Sequence, residues 1–274
     1  MTEADEDPQA LRIALAAFAA RPRVLVAVDF DGTLAPLVTD PLAARALPGG
    51  LDALRAAASL QGVTAALVSG RDLATLAALT GIDADDGVVL VGSHGAQTSY
   101  GPAHEPGSPG DGTFLADRTL LTAVRGELEA IRSRYPAVRL EDKPYAAVLH
   151  TRGVEPSAAA AATAAALEVG GRHTGVHVLP GKEVVELTVV EADKGRALVD
   201  LARATSSDAT LYLGDDVTDE RAFAALDPAS GDLTVKVGAG DTLAAHRVPG
   251  PEAVVELLKL FVHLRRVLGG AGGD

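Results

Sequence analysis

The fold is decided by residues 23–34, which read RVLVAVDFDGTL. Their apolar run predicts a strand that is buried on both faces, as strands of parallel sheets are. Asp29 and Asp31 follow at its carboxyl end, two positions apart, so both carboxylates can face one spot beyond the edge of the sheet. That spot is a candidate active site. The alternative is a β-hairpin, in which the Asp-Gly pair at 31–32 forms an ordinary turn.

The same apolar pattern recurs along the chain and alternates with helical stretches. Strands are predicted at 23–29, 63–69, 88–92, 209–215 and 233–238, and helices at 49–60, 71–79, 193–204, 217–226 and 251–267. Alternating strands and helices predict an α/β fold with a doubly wound parallel sheet. The stretch 11–20 is expected to form an amphipathic helix that docks on this core.

The middle of the chain has a different rhythm. A turn-rich segment at 101–112 precedes an αββαββ order, with helices at 114–135 and 156–168 and strands at 137–142, 145–151, 175–179 and 182–190. This order predicts a small antiparallel α+β unit inserted into the first domain, with the linker as a hinge. We therefore expect a discontinuous core domain at 1–110 and 192–274 and an inserted domain at 111–191.

The composition narrows the chemistry. The chain of 274 residues has no cysteine, which excludes disulfides, thiolate zinc sites and a cysteine nucleophile. Its net charge of −13, from 37 acidic and 24 basic residues, disfavours nucleic acid and anionic lipid as partners. We read neither a basic leader nor an apolar run long enough for a membrane span. We expect a cytoplasmic monomer that acts on a small molecule.

Further polar segments follow predicted strands or open predicted helices. They are SGR at 69–71, DKG at 193–195 and GDDVTDE at 214–220. In a parallel sheet such segments collect at the same edge as Asp29. Each has a structural alternative, since Ser69 can cap a helix, as can Asp215 or Asp216. Lys194 can be a solvated surface charge. Four segments in the same position relative to strands favour one shared site.

In the order of these segments, the chain resembles the haloacid dehalogenase-like (HAD) phosphatases. Their motifs are an Asp-x-Asp strand end, a Ser or Thr, a Lys and a paired acidic motif. The resemblance implies that Asp29 is a nucleophile and Asp31 the general acid and base. It also implies that Ser69 donates a hydrogen bond to the phosphate and that Lys194 contacts both the phosphate and Asp29. Asp215 is then a magnesium ligand.

The charges of such a reaction agree with this division of roles. A phosphate monoester carries roughly −1.5 to −2 charges at pH 7, so a carboxylate can approach it only where cations neutralise the site. Mg²⁺ prefers oxygen ligands, which Asp29, the main-chain carbonyl of Asp31 and Asp215 would supply. Asp216 and Asp219 are expected one layer behind, where they orient the lysine or metal-bound water.

Longer stretches resemble the trehalose-6-phosphate phosphatase family over about residues 20–260. They are DFDGTLAP (29–36), SGR (69–71), GSHG (92–95), EDKPYAAVLHTR (141–152), GKEVVEL (181–187), DKG (193–195) and GDDVTDERAF (214–223). The resemblance implies a HAD-like doubly wound parallel sheet core with an inserted α+β cap domain, Mg²⁺ as cofactor and trehalose 6-phosphate as substrate. Two alternatives stay open. One is the same chemistry on sucrose phosphate or a glycosyl-glycerate phosphate, and the other is a non-catalytic regulatory domain.

Alternation along the inserted strands predicts a polar face on their sheet. The candidate substrate-binding residues on this face are Glu141, Lys143, His150, Arg152, Lys182 and Glu186. Such donors and acceptors suit the hydroxyls of a sugar, although the face can also be the solvent side of an antiparallel sheet. In the core, Arg71 and His94 are further candidates for substrate contact. His94 is equally compatible with a structural role in its loop.

Overall fold

The computed structural model of the chain describes residues 8–101, 117–190 and 193–270. The chain divides into two compact units, with the divisions after Ala103 and after Ala192. The predicted domain boundaries, most of the turn-rich linker and the first residues of the helix predicted after it lie outside the described residues. No helix within the described ranges combines the length and the apolarity that a bilayer span needs.

Strands and helices alternate along most of the chain. The strands are β1 (Val24–Asp29), β2 (Val63–Val68), β3 (Val88–Gly92), β4 (Gln97–Thr98), β5 (Arg139–Asp142), β6 (Ala146–His150), β7 (His177–Gly181), β8 (Val184–Thr188), β9 (Ala209–Gly214), β10 (Leu233–Val237) and β11 (His246–Val248). The helices are α1 (Pro8–Ala19), α2 (Gly50–Ala58), α3 (Leu73–Thr80), α4 (Arg118–Arg134), α5 (Pro156–Arg172), α6 (Lys194–Ala204), α7 (Val217–Ala225) and α8 (Pro251–Gly270).

The first unit is built on one sheet with the strand order β11-β10-β9-β1-β2-β3-β4. Neighbouring strands are parallel except for β3 and β4. Strand β1 lies at the centre, between β9 and β2, and Asp29 at its end is opposite Val68. The hairpin alternative for Asp31 and Gly32 is therefore wrong, because the chain leaves β1 and returns through α2 to a parallel neighbour.

Strand β1 is buried on both faces, which explains its continuous apolar run. Val24, Val26 and Val28 belong to one apolar cluster, which also contains residues of α1, α2, α3 and α8. Leu25 and Ala27 belong to a second cluster with residues of α6 and α7. Helices thus cover both faces of the sheet, and the predicted doubly wound α/β fold is confirmed. The short edge strands β4 and β11 were not predicted, since two or three residues carry no readable period.

The second unit is an antiparallel sheet with the strand order β5-β6-β8-β7. Its apolar cluster joins Ala147, Leu149, Val185 and Leu187 to residues of α4 and α5. The two helices therefore cover one face of the sheet, and side chains of the alternate positions point to the other face. The αββαββ order predicted for this part of the chain is confirmed.

The hairpin of β7 and β8 turns later than predicted. The strands predicted at 175–179 and 182–190 place the turn at Pro180 and Gly181, but both residues lie in β7, where Pro180 pairs with Val185. Strand β7 is at the edge of its sheet, and an edge strand tolerates a proline because the missing N–H costs no ladder bond there. The turn falls at Lys182 and Glu183, and Glu183 has a left-handed φ of 59°. Lys182 therefore lies in a turn, not on the predicted strand.

Candidate active site

A buried lysine bridges two buried carboxylates at the carboxyl edge of the first sheet. Asp29, the last residue of β1, is 4% exposed, and Lys194, the first residue of α6, is 3% exposed. The Lys194 Nζ donates to Asp29 Oδ1 at 2.7 Å and to Asp219 Oδ1 at 2.8 Å. The N-terminus of α6 is held by Asp193, whose carboxylate accepts from the Arg196 N–H. The lysine therefore fixes the rotation of the Asp29 carboxylate.

Asp219 is surrounded by hydrogen-bond donors. Its Oδ1 accepts from the Tyr212 hydroxyl at 2.6 Å as well as from Lys194, and its Oδ2 accepts from the N–H groups of Asp215 at 2.8 Å and Asp216 at 3.0 Å. Four donors occupy the roughly four acceptor sites of a carboxylate. This carboxylate lies against Gly214, where a Cβ would come within 2.3 Å of Asp219 Cγ. Asp219 therefore orients Lys194 and the acidic loop after β9, which contains Asp215 and Asp216.

Asp215 faces the turn that follows β1. The Thr33 hydroxyl donates to Asp215 Oδ1 at 3.2 Å. A Cβ on Gly32 would come within 2.1 Å of Asp215 Oδ2, and Gly32 has a left-handed φ of 87°. Glycine at this position therefore satisfies both the turn and the close approach of the carboxylate. The arrangement brings Asp215 beside the Asp-Phe-Asp-Gly-Thr segment, as the sequence predicts.

Burial and neighbouring carboxylates raise the pKa of Asp29 and of Asp215 at this edge. Burial raises the pKa of Asp29, Lys194 opposes the rise, and the carboxylate of Asp219 adds to it, so that the pKa lies well above its ordinary value. Burial raises the pKa of Asp215 to about 6, and the charges of Asp219 and Asp216 contribute. For Lys194, burial would lower the pKa, but Asp29 and Asp219 outweigh burial and raise it. The site thus holds more negative charge than its lysine neutralises.

This excess of negative charge fits a divalent cation. Asp29, Asp215 and Asp219 each have one oxygen within 4.8 Å of the others, and this acidic triad could hold a metal ion. Hard cations such as Mg²⁺ bind oxygen ligands of this kind. Because the acceptor sites of Asp219 are taken by four donors, Asp29 and Asp215 are the members of the triad that are better able to bind a cation.

Asp216 has the structural role that the sequence left open. It is the N-cap of α7, and its Oδ1 accepts from the N–H groups of Thr218 at 2.8 Å and Asp219 at 3.1 Å. Asp219 in turn receives the Asp216 N–H, which completes a capping box. Asp216 therefore fixes the start of the helix that carries Asp219.

The second predicted segment, Ser69 to Arg71, follows β2, which is the neighbour of β1 in the sheet. Ser69 is buried, and its Oγ accepts from the Arg71 N–H at 3.1 Å. The guanidinium of Arg71 donates to both oxygens of Asp31. The imidazole of His94 lies against Gly70, where a Cβ would come within 2.4 Å of the ring, and the main-chain N–H of His94 donates to the main-chain carbonyl of Ser69. Ser69, Arg71 and His94 are thus brought together beside β1.

In the second unit, four of the predicted sugar-binding residues contact one another in two pairs. Lys143 Nζ lies 2.6 Å from Glu186 Oε2, and His150 Nε2 lies 2.8 Å from Glu141 Oε2. Glu141 and Glu186 both pair with Val148 across the sheet, so they lie in one row on the same face.

The other two predicted residues of this set lie outside the strands. Arg152 follows β6 in a turn and pairs with Glu183 at 3.4 Å, and both side chains are about half exposed. Lys182 is exposed in the turn between β7 and β8. Strand β6 ends at His150, one residue before its predicted end, and β8 begins at Val184, two residues after its predicted start. The nearby turn residues Gly153 and Glu183 have left-handed backbones.

Two residues that contact the site were missed by the sequence analysis. Lys236 of β10 is 4% exposed, and its Nζ donates to the main-chain carbonyl of Asp215. Tyr212 of β9 is fully buried behind Asp219. Lys236 and Tyr212 both lie within apolar runs whose pattern predicts an ordinary buried strand. A lysine within such a run was the one available signal, because a buried ammonium needs a polar partner.

The chain has the fold of the HAD-like hydrolases. A haloacid dehalogenase-like hydrolase from Bacteroides thetaiotaomicron aligns with 86% of this chain and 98% of its own, with a TM-score of 0.61 and 14% identity. The model of the trehalose-phosphatase family matches residues 27–249, and the chain belongs to that family.

Two relatives within this family are similar over most of the chain. A trehalose-phosphate phosphatase from Mycobacterium bovis (strain BCG / Pasteur 1173P2) is 32% identical over 267 residues, which are 93% of this chain and 65% of the relative. The structure of Aspergillus fumigatus trehalose-6-phosphate phosphatase has a TM-score of 0.66 and 25% identity, and the match covers 92% of this chain and 97% of that one. The match spans 65% of the Mycobacterium bovis relative, 50% of a trehalose-phosphate phosphatase from Mycobacterium avium (strain 104) and 46% of one from Mycobacterium leprae (strain TN).

Proposed function

We propose that the chain is a Mg²⁺-dependent phosphatase that hydrolyses trehalose 6-phosphate to trehalose and phosphate through an aspartyl-phosphate intermediate. The observation that carries the proposal is the Lys194 bridge between Asp29 and Asp219 at the carboxyl edge of the sheet. A buried carboxylate held at a fixed rotation beside a cation is suited to nucleophilic attack on an anionic ester. The trehalose-phosphatase family match supports the choice of substrate.

The proposed reaction has two displacement steps. In the first, an Asp29 oxygen attacks phosphorus, the bond from phosphorus to the sugar oxygen breaks, and Asp31 gives its proton to that oxygen. In the second, water attacks phosphorus, Asp31 takes a proton from the water, and the bond to Asp29 breaks to release phosphate. Ser69 would donate a hydrogen bond to the phosphate, and Lys194 would contact both the phosphate and Asp29.

Asp29, Asp215 and the main-chain carbonyl of Asp31 are the groups proposed to hold Mg²⁺. When bound, the ion would supply positive charge against the phosphate oxygens and lower the raised pKa of Asp29. Asp219 and Asp216 would support this set from behind, through Lys194 and the start of α7. The fourfold hydrogen bonding of Asp219 supports that division of roles.

Substrate selectivity is assigned to the inserted domain at 111–191, and chemistry to the core at 1–110 and 192–274. The polar face of the second sheet supports this assignment, because it carries the Lys143–Glu186 ion pair and the His150–Glu141 contact opposite the apolar face. The proposed sugar-binding residues are Glu141, Lys143, His150, Arg152, Lys182 and Glu186, with His94 on the core. The protein is proposed to act as a cytoplasmic monomer without nucleic-acid or membrane partners.

A panel of sugar phosphates tests this proposal. Purified protein is expected to release phosphate from trehalose 6-phosphate with Mg²⁺, and to stop reversibly when a chelator removes the metal. Ca²⁺ should support little activity, because its longer bonds and higher coordination number displace the phosphate. Phosphate release is measured in parallel from sucrose phosphate and a glycosyl-glycerate phosphate.

The panel separates the three functions that the sequence left open. Faster turnover of another sugar phosphate would change the substrate but keep the chemistry. Full activity in metal-free protein would contradict the metal dependence. No phosphate release from any ester, in protein that melts cooperatively, would favour a non-catalytic domain.

Glu186 offers a sharper test of sugar recognition. Glu186→Ala removes a charged hydrogen bond worth roughly 1.5–3 kcal/mol, so kcat/KM for trehalose 6-phosphate should fall roughly 10- to 150-fold. The same variant should lose little activity on p-nitrophenyl phosphate, which has no sugar. Steady-state kinetics on both substrates measure the difference. Glu168→Ala, an exposed carboxylate on α5, is the matched control. Equal losses on both substrates in a folded variant would remove Glu186 from the sugar-binding set.

A further inference from the structure

Arg71 forms a two-bond ion pair with Asp31, the second aspartate of the Asp-x-Asp motif. Its Nε donates to Asp31 Oδ2 at 2.7 Å and its Nη2 to Asp31 Oδ1 at 2.7 Å. The Arg71 side chain is 14% exposed, whereas that of Asp31 is 32% exposed. Two short parallel bonds of this kind fix both the distance and the plane of a carboxylate.

The guanidinium is itself held in place. It lies over the ring of Phe30, with 5.8 Å from its central carbon to the ring centroid. The Arg71 main chain is fixed on both sides, since its N–H donates to Ser69 Oγ at 3.1 Å and its carbonyl accepts from the Ser93 N–H at 2.7 Å. The position of the Arg71 guanidinium is therefore restrained by its surroundings, and most of the side chain is shielded from solvent.

This pairing has a consequence for proton transfer. A general acid or base acts only when its oxygen lies within hydrogen-bond reach of the reacting oxygen, in the right direction. Asp31 follows the strand and its side chain is 32% exposed, so burial restrains its rotation less than that of Asp29, which is 5% exposed. The fork of Arg71 takes one acceptor site on each oxygen and leaves others open. It can therefore orient Asp31 without blocking it.

We infer that Arg71 is the positioning residue of Asp31, and that it acts on the reaction through this carboxylate instead of by binding the substrate. The inference rests on the proposed phosphatase function. It also revises the role expected for Arg71 from the sequence, because the two guanidinium nitrogens that form its fork are engaged by Asp31. A lysine could supply the charge of Arg71 but not its planar fork.

A double-mutant cycle on kcat/KM tests this inference. The variants are Arg71→Ala, Asp31→Asn and the double variant, each assayed with trehalose 6-phosphate. Loss of acid–base catalysis costs roughly 10²- to 10⁴-fold, which leaves measurable activity in Asp31→Asn. Arg71→Ala alone should lower kcat/KM by roughly 10- to 100-fold, as misplacement of a catalytic group does. In the Asp31→Asn background it should have almost no further effect, since residues that act as a unit are not additive.

Leaving-group dependence gives a second readout that a structural role would not change. For substrates without a sugar, kcat/KM reports the first displacement, which needs a proton only when the leaving group is a poor one. Across phenyl phosphates of graded leaving-group acidity, Arg71→Ala should therefore lose most activity on the least acidic leaving groups. Arg71→Lys should behave like Arg71→Ala, because it keeps the charge but loses the fork.

The control is Arg55→Ala, which breaks a similar two-bond pair with Asp86 in the same unit, at 2.8 and 3.2 Å. It should leave kcat/KM unchanged, and thermal melting checks the folding of every variant. Additive losses in the cycle, or equal losses across all phenyl phosphates, would overturn the inference while the phosphatase proposal stands. If wild-type protein releases no phosphate from any ester, the proposed function fails and the inference falls with it.

Discussion

Replacing Asp29 with Asn is expected to abolish phosphate release from every ester. The neutral amide keeps the shape of the carboxylate but cannot attack phosphorus, so kcat should fall by roughly 10⁴-fold or more, as when a covalent nucleophile is removed. The fold should survive, because burial and the neighbouring carboxylates already raise the pKa of Asp29 and make its charge costly. Phosphate release and thermal melting are measured on the same preparation.

A matched variant separates loss of chemistry from loss of charge. Asp200→Asn changes an exposed aspartate on α6 that pairs with Arg203 at 2.8 Å, and it should retain wild-type turnover. Rapid mixing of wild type with p-nitrophenyl phosphate should show a burst of nitrophenol if the second step is slower, and Asp29→Asn should show none. Steady turnover by purified Asp29→Asn would exclude Asp29 as the nucleophile.

The cluster at the sheet edge could be predicted because it follows from topology. Once the run 24–28 is read as a parallel strand, Asp29 must emerge at the carboxyl end beside the ends of its neighbours. Ser69 on β2 and the acidic loop after β9 then fall at the same edge without any knowledge of side-chain contacts. The observed strand order, with β1 between β9 and β2, places the segments in this way.

The partners of individual side chains could not be predicted in the same way. The period of a strand gives the face of a residue, not the atoms that it meets, and so the pairing of Arg71 with Asp31 was not predicted. Tyr212 and Lys236 look like members of apolar strands, but each sends a polar atom to the acidic loop. Such contacts depend on rotamers and on long-range packing, which a local pattern does not contain.

In the inserted unit, the faces of the strand residues could be predicted, but the position of the hairpin turn could not. Alternation correctly separates Glu186 from its apolar neighbours Val185 and Leu187, because the pleat has a period of two. The predicted position of the hairpin turn was wrong, since Pro180 and Gly181, which separate the strands predicted at 175–179 and 182–190, lie in the edge strand β7. Arg152 and Lys182, assigned to the polar face of the sheet, accordingly lie in turns at its ends.

Lys194→Met is expected to damage stability and activity together. The lysine is the buried cation that donates to both Asp29 and Asp219, and removal of one partner from a buried ion pair costs about 3–5 kcal/mol. Activity should fall by roughly 10³-fold, because a preorganised donor beside the reacting phosphate is also lost. Thermal melting of metal-free protein and phosphate release in Mg²⁺ measure the two effects separately.

The loss of stability in Lys194→Met should depend on pH in a definite direction. The pKa of Asp29 is already raised by burial, and loss of Lys194 removes the positive charge that opposed the rise. A carboxyl with a raised folded pKa loses stability as pH rises through it, so the deficit of Lys194→Met should be larger at pH 8 than at pH 5. Lys259→Met, an exposed lysine on α8 paired with Glu256, should show no such difference. Equal melting temperatures of wild type and Lys194→Met at pH 8 would mean that the buried bridge does not stabilise the site, and Lys194 would have to act on the substrate alone.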